Sequence, residues 1–160
     1  MESEDFKLES SSRRLLRHLS LKGDVIKEYE YLEDNQTRLF IQPVRVTQNR
    51  NTHVCVVNRT SETTSELLII SSSGHLMFIY LGQDLTNGFR PNDVVCDSLC
   101  NITVTDPDNN LIHLLNPDGD FLKHLLTENE VKTPTSLSLC KSTLWVGNEI
   151  GIVKVFRNMA

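Results

Sequence analysis

The stretch Leu111–Leu126, LIHLLNPDGDFLKHLL, decides the fold. Two apolar runs flank the tetrapeptide NPDG, in which proline presets φ and glycine is free to take positive φ. This pattern predicts two antiparallel strands joined by a tight turn. The same order of apolar run, Ser or Asn, two spacers and glycine occurs at Leu16–Gly23, Leu67–Gly74 and Ile112–Gly119. The hairpin is therefore a repeated unit.

The repeat extends toward the amino terminus of each hairpin. An apolar-x-Val-x-Asn/Asp element ends at Asn58, Asp106 and Asn148, and Pro43, Pro91 and Pro134 precede those residues by 15, 15 and 14 positions. The prolines recur after 48 and 43 residues. Each unit predicts four short strands rich in Val, Ile, Leu, Phe and Thr, bounded by turn residues. A period of this length with four strands is typical of β-propeller blades.

We therefore predict an all-β fold, a partial and open propeller of about three to four blades of four-stranded antiparallel sheets. The blades cover approximately residues 5–30, 43–82, 91–126 and 134–157 of a single domain spanning residues 1–160. In each blade the innermost strand is predicted to follow the proline, and the second strand to end at the Asn or Asp. The third strand is predicted to precede the glycine turn, and the outermost strand to follow that turn. The first blade lacks its innermost strand and the last lacks its outermost.

Such an arc has two unpaired ends. We expect it to expose apolar faces at Phe6 and Leu8 in the first blade and at Leu144 and Val146 in the last. These faces favour self-association. Trp145, the single tryptophan, is expected to pack between blades.

Composition and charge limit the function classes. The net charge of −5 and the pI of about 5.5 disfavour a nonspecific nucleic-acid binder. The densest basic cluster contains Arg13, Arg14 and Arg17, which are candidate partner or RNA contacts. No apolar run is long enough for a membrane span, and the acidic start lacks a signal-peptide core, so cytoplasmic location is expected. Cys55, Cys96, Cys100 and Cys140 are too scattered for a disulfide framework.

The row Asn58, Asp106 and Asn148 has two interpretations. It could form a ring of polar groups that binds a cation, or each member could cap the turn after its strand. Two of the three are neutral amides, which favours capping. The five histidines do not repeat in register, and no catalytic motif is present, so we predict no catalytic residue, no bound zinc or calcium, and no cofactor. Gly23, Gly74 and Gly119 are predicted turn positions.

The repeats resemble a known family. LIHLLNPDGDFLKHLL looks like an NHL repeat, and TPTSLSLCKSTLWVGNEIGIVKVF, from Thr133 to Phe156, is similar to the last blade of the C-terminal propellers of tripartite-motif proteins. NRNTHVCVVNRTS resembles their second-strand signature, with His53 and Asn58 where the family often has Asp. Full-length members carry a RING, B-boxes and a coiled coil and act as ubiquitin ligases, and this chain has no sequence for those modules.

The resemblance implies a function without catalysis. We predict an interaction module that presents a substrate-recognition surface to a protein partner, and not an enzyme. The alternatives are an RNA-binding propeller and, after it, a metal-dependent propeller hydrolase or lyase. Neither the partner nor the oligomeric state follows from the sequence.

Overall fold

A computed structural model describes residues 11–157 of the chain. The described part is all-β apart from one 3-10 turn, Pro107–Asn109. Its thirteen strands are β1 (Leu16–Leu19), β2 (Val25–Tyr29), β3 (Gln42–Gln48), β4 (Val54–Arg59), β5 (Ser65–Ile70), β6 (Leu76–Tyr80), β7 (Val94–Cys96), β8 (Ile102–Asp106), β9 (Leu111–Leu115), β10 (Phe121–Leu126), β11 (Pro134–Cys140), β12 (Thr143–Asn148) and β13 (Val153–Arg157).

The strands form four antiparallel sheets in two compact units. In the unit Met1–Phe40, β1 and β2 pair as a hairpin. In the unit Ile41–Ala160, the sheets follow the orders β3-β4-β5-β6, β7-β8-β9-β10 and β11-β12-β13. These sheets confirm the predicted all-β, partial and open propeller. Below, blade 2 is β3–β6, blade 3 is β7–β10, and blade 4 is β11–β13.

The predicted hairpin turns share one local design. Gly23, Gly74 and Gly119 have φ values of +90°, +99° and +97°, which L side chains rarely adopt. In each turn the first residue is Ser or Asn, and its side-chain oxygen accepts the backbone N–H four positions later. These bonds run from Asp24 to Ser20, from His75 to Ser71, and from Asp120 to Asn116. The repeated spacing therefore reflects a repeated Asx- or Ser-type turn.

Apolar contacts between neighbouring sheets form the core. Cys55, Val57, Leu67 and Ile69 of blade 2 are fully buried in one cluster with residues of blade 3. That cluster includes Val94, Ile102, Val104 and Leu115 of blade 3. A second cluster joins blades 3 and 4 and contains Ile112, Leu126, Val131, Leu144 and Val146. Because side chains alternate along a strand, β4 and β8 bury residues on both of their faces.

Two predictions about the exposure of side chains in the last blade are wrong. Leu144 and Val146 are not exposed, because they face blade 3 and lie in the second cluster. The opposite face presents Trp145, which is 45% exposed, together with Val153 and Val155. Trp145 pairs with Val155 across the two strands, so it does not pack between described blades. Phe6 and Leu8 lie outside the described residues, and self-association stays a prediction.

A buried polar network lies within the contact between blades 2 and 3. The Tyr80 hydroxyl and His113 Nδ1 are 2.8 Å apart, and Asp106 Oδ2 lies 3.5 Å from His113 Nε2. Asn109 Nδ2 donates to the same carboxylate oxygen at 2.8 Å. The rings of Phe89 and Phe121 surround the imidazole, and His113 is fully buried. Burial, with the Asp106 charge nearby, raises the pKa of Tyr80, so the phenol stays protonated.

We predict that Tyr80→Phe destabilises the protein by about 1–3 kcal/mol, because His113 Nδ1 then has no partner in a buried site. The ring contacts remain, so the change isolates the hydroxyl. Urea unfolding measures the difference in the free energy of unfolding. An unchanged midpoint and slope would contradict the network.

The glycine turns give a second prediction. A Cβ at Gly119 would lie 2.5 Å from Phe78 Cδ1 and 2.8 Å from Ile69 Cδ1, whereas Gly151, with φ of +86°, has open space. Gly119→Ala should therefore cost about 2–4 kcal/mol, combining positive-φ strain with overpacking. Gly151→Ala should cost only about 1–2 kcal/mol from strain. Thermal unfolding of the two variants checks this, and equal losses would mean that the turn of blade 3 does not contact blade 2.

Candidate functional site

The side chains of Asn58, Asp106 and Asn148 have different hydrogen-bond partners and do not form one site. Asn58 Oδ1 accepts the N–H groups of Ile41 and Gln42 at 3.0 Å, which anchors the chain entering β3. Asn148 Oδ1 accepts the N–H of Ile152, which is the predicted turn cap. Asp106 instead belongs to the buried network with His113. The three side chains therefore have three different roles.

In blade 3 the residue that anchors the entry to the innermost strand is Thr105, which precedes Asp106 in the sequence. Thr105 Oγ1 accepts the N–H groups of Asn92 and Asp93, at the entry to β7. Thr105 was not predicted, because spacing alone aligns Asp106 with Asn58. Pro43 and Pro134 each pair with the Asn of their own blade, and Pro91 is a buried residue just before β7.

The basic cluster near the amino terminus is engaged in ion pairs. Arg13 contacts both Glu28 and Glu30, and Arg17 contacts Glu28. The guanidinium of Arg13 lowers the pKa of both carboxyl groups. Arg14, beside Arg13 in the sequence, is half-buried and has an interaction of its own. Carboxylates beside Arg13 and Arg17 reduce the positive field that an RNA phosphate would meet.

The described residues contain no group of three or more His, Cys, Asp or Glu side chains placed to hold a metal ion. Within residues 11–157, no helix has the length and apolar character needed to cross a membrane.

A cavity of about 600 Å³ lies where the three innermost strands of blades 2, 3 and 4 end. Residues 48–50 line it from the β3–β4 turn, 96–99 from the β7–β8 turn, and Leu139, Lys141 and Ser142 from the β11–β12 turn. We call it the inner-strand cavity. No described residue of this cavity was selected from the sequence as a binding residue.

Two of the turns that line the inner-strand cavity have the same construction. Asn49 Oδ1 accepts the N–H of His53 at 3.0 Å, and Asp97 Oδ1 accepts the N–H of Asn101 at 2.9 Å. Asn49 and Asp97 are 48 residues apart, which equals the spacing of Pro43 and Pro91. The repeat period alone could therefore have identified this pair.

The second polar atom of each side chain distinguishes the two turns. Asp97 Oδ2 accepts Asn101 Nδ2 at 2.8 Å. Asn49 Nδ2 has no hydrogen-bond partner among residues 11–157, although Asn49 is only 6% exposed. A buried N–H donor without a partner costs free energy, and Nδ2 itself is not exposed to the cavity.

The charges lining the cavity are predominantly positive. Arg50 and Lys141 are exposed and form no ion pair with a described carboxylate. Asp97 supplies the single carboxylate among the described lining residues, and three N–H groups of its own turn bind it. The net lining charge of the described residues is therefore one positive unit.

Cys96 lines the inner-strand cavity, and its side chain also packs against the core that blades 2 and 3 share. Its Sγ lies 4.0 Å from that of Cys55 on blade 2, and all four cysteines are free. The hydrogen bond with Cys96 and burial raise the pKa of Cys55, while the same bond lowers the pKa of Cys96. Cys96 is therefore the more readily ionised thiol of the pair, but its Sγ contacts the buried Cys55.

Comparison with known proteins identifies structures of similar fold but no sequence family for this chain. No family model matches the chain. No curated protein matches it either. The structure is similar to a streptogramin B lyase with a TM-score of 0.57 and 15% identity, covering 91% of this chain and 48% of that chain. Virginiamycin B lyase from Staphylococcus aureus gives a TM-score of 0.60 and 15% identity, covering 91% and 49%. A protein named as a gluconolactonase gives 0.62 and 16%, covering 91% and 46%.

These neighbours correct the predicted function. The sequence predicted a non-catalytic interaction module, but the similar structures are a lyase and a gluconolactonase, so that prediction is wrong. No NHL or tripartite-motif structure stands among these neighbours. The expected partners and the cytoplasmic location stay predictions. The chain spans about half the length of the structures it matches, and at this identity the likeness establishes the β-propeller fold alone.

Proposed function

We propose that this chain forms part of a β-propeller enzyme that binds a small polar molecule in the inner-strand cavity. The observation that carries the proposal is the convergence of three innermost-strand turns on one cavity with unpaired donors. Side chains from three blades line it, so a ligand there would contact three separate parts of the chain. Ligand sites are concave, with a small number of placed polar groups.

The chemistry of the lining supports a substrate with a carbonyl or carboxylate oxygen. The exposed side chains of Arg50 and Lys141 are donors, and donors aimed at an oxygen stabilise negative charge that develops on it. The named activities of the similar structures, streptogramin B lyase and gluconolactonase, concern small molecules.

We also propose that the blades are NHL-type repeats. Support comes from Leu111–Leu126, which forms β9 and β10 around the glycine turn, and from the order of strands in blades 2 and 3. This proposal concerns the repeat only and carries no ligase function.

Opening of a neutral sugar lactone tests the proposed activity. We expect the purified chain to accelerate the ring opening of glucono-1,5-lactone above the spontaneous rate, followed as acid release in a pH-stat. Arg50→Gln should lower the catalysed rate at least tenfold, because a donor to the carbonyl oxygen is lost. Lys132→Gln removes an equal charge outside the cavity and should leave the rate unchanged.

A rate equal to the spontaneous one would contradict catalysis on this substrate class. Equal loss in Arg50→Gln and Lys132→Gln would place the activity outside the inner-strand cavity.

A further inference from the structure

We propose that Cys55 and Cys96 form a redox-active thiol pair, which a hydroperoxide oxidises to a disulfide between blades 2 and 3. Neither thiol has a part in the proposed catalysis, so the pair is independent of the proposed function. Three observations carry the proposal: the contact between the two sulfur atoms, their unequal exposure, and their position on neighbouring blades.

The two thiols are in direct contact. Their Sγ atoms lie 4.0 Å apart, and either thiol can donate its S–H to the other sulfur. The two residues are 41 positions apart in the sequence, and the packing of blade 3 against blade 2 brings them together. An S–S bond is about 2 Å long, so the sulfur atoms must approach by about 2 Å to react. A rotamer change displaces a cysteine sulfur by more than this distance.

The two thiols differ in exposure. Cys55 is fully buried in β4, whereas Cys96 is partly exposed, ends β7 and lines the inner-strand cavity. The hydrogen bond with Cys55 lowers the pKa of Cys96, and the thiolate is the form that attacks a hydroperoxide. Oxidation therefore begins at Cys96, and Cys55 is the thiol that completes the disulfide.

The reaction has two steps. The Cys96 thiolate attacks one oxygen of the hydroperoxide, the O–O bond breaks, and an alcohol leaves after taking up one proton. Cys96 is then a sulfenic acid. The Cys55 sulfur attacks the sulfenic sulfur, the S–O bond breaks, and the hydroxyl leaves as water with the thiol proton of Cys55. The pair loses two electrons and two protons, and the hydroperoxide accepts both.

The other two cysteines provide internal controls. Cys100 is buried in the turn after β7, and Cys140 is exposed at the end of β11. Cys100→Ala therefore removes a buried thiol and Cys140→Ser an exposed one, and both variants keep the proposed pair.

Peptide mapping of the full chain, before and after treatment with excess hydrogen peroxide, tests the proposal. Free thiols are blocked with iodoacetamide in denaturant, and the protein is digested without reductant by trypsin and by an endoproteinase that cuts before aspartate. These enzymes place Cys55 on residues 51–59 and Cys96 on residues 93–96, apart from Cys100. Mass spectrometry then identifies which two cysteines are joined.

We expect peroxide to join the peptide that contains Cys55 to the peptide that contains Cys96, and dithiothreitol to separate them. Cys96→Ser should abolish this cross-link, whereas Cys100→Ala and Cys140→Ser should keep it. The map of the wild-type chain needs no substitution, so it tests the pair even where a variant does not fold.

Two further measurements test the order of the steps and the effect on the fold. In Cys55→Ser, dimedone should label Cys96, because the sulfenic acid has no second thiol to react with. Oxidation should raise the midpoint of thermal unfolding of the wild type by about 5–10 °C, since a cross-link constrains the unfolded chain. Peroxide-treated Cys96→Ser should show no such rise.

Three results would overturn the proposal. Complete alkylation of Cys55 after peroxide treatment would show that the pair does not form a disulfide. A cross-link from Cys55 or Cys96 to Cys100 would show that the wrong pair is assigned. Dimedone labelling of Cys100 in place of Cys96 would refute Cys96 as the thiol that reacts first.

Discussion

The second strands of blades 2 and 3 are covered on both faces, and the packing of the blades follows from this requirement. In β4 and β8 all five residues from Val54 to Asn58 and from Ile102 to Asp106 are buried, so neither strand has a solvent face. A strand of this kind cannot be stable in a lone sheet, because its apolar residues alternate between two sides. Blade-on-blade packing follows from this alternation, and the shared clusters between blades 2, 3 and 4 are its result.

The same packing determines where polar groups are allowed. Asp106 and His113 are fully buried between blades, and they are tolerated because Tyr80 and Asn109 supply hydrogen bonds. His113 Nε2 and Asp106 Oδ1 have no hydrogen-bond partner among the described residues, and His113 Nε2 lies 3.5 Å from Asp106 Oδ2. Packing blades side by side brings the ends of the innermost strands together, and their connecting turns, which do not pack in the core, form the inner-strand cavity. Function is expected on such turns, because the sheets hold them in place.

The fold was predictable because each blade repeats the same local chemistry. Strand positions follow from apolar runs, and the turns at Ser71 and Asn116 follow from the Ser or Asn and glycine that begin and end them. Exposure in the last blade was not predictable in the same way. Because side chains alternate along β12, Leu144 and Trp145 lie on opposite faces of the sheet. Only the position of blade 3 determines which of the two faces is covered.

The candidate site was predicted poorly for a related reason. Motif searches look for chemistry within one short segment, whereas Asn49, Cys96 and Lys141 come from three turns of three blades. Their proximity depends on how the sheets pack, which no single repeat encodes. The absence of a catalytic motif was therefore weak evidence against an enzyme. The repeat-aligned residues Asn58, Asp106 and Asn148 lie at or near the end of their strands, away from the turns that line the inner-strand cavity.

The proposed ligand site lies at the ends of the innermost strands. The most direct measurement is nuclear magnetic resonance mapping of backbone amide shifts during titration with sodium gluconate. The account predicts that the largest saturable shifts lie in residues 48–51, 96–99 and 139–142, which belong to three separate turns. The largest shifts in residues 128–132 and 148–154, which line the smaller cavity beside blade 4, would contradict it.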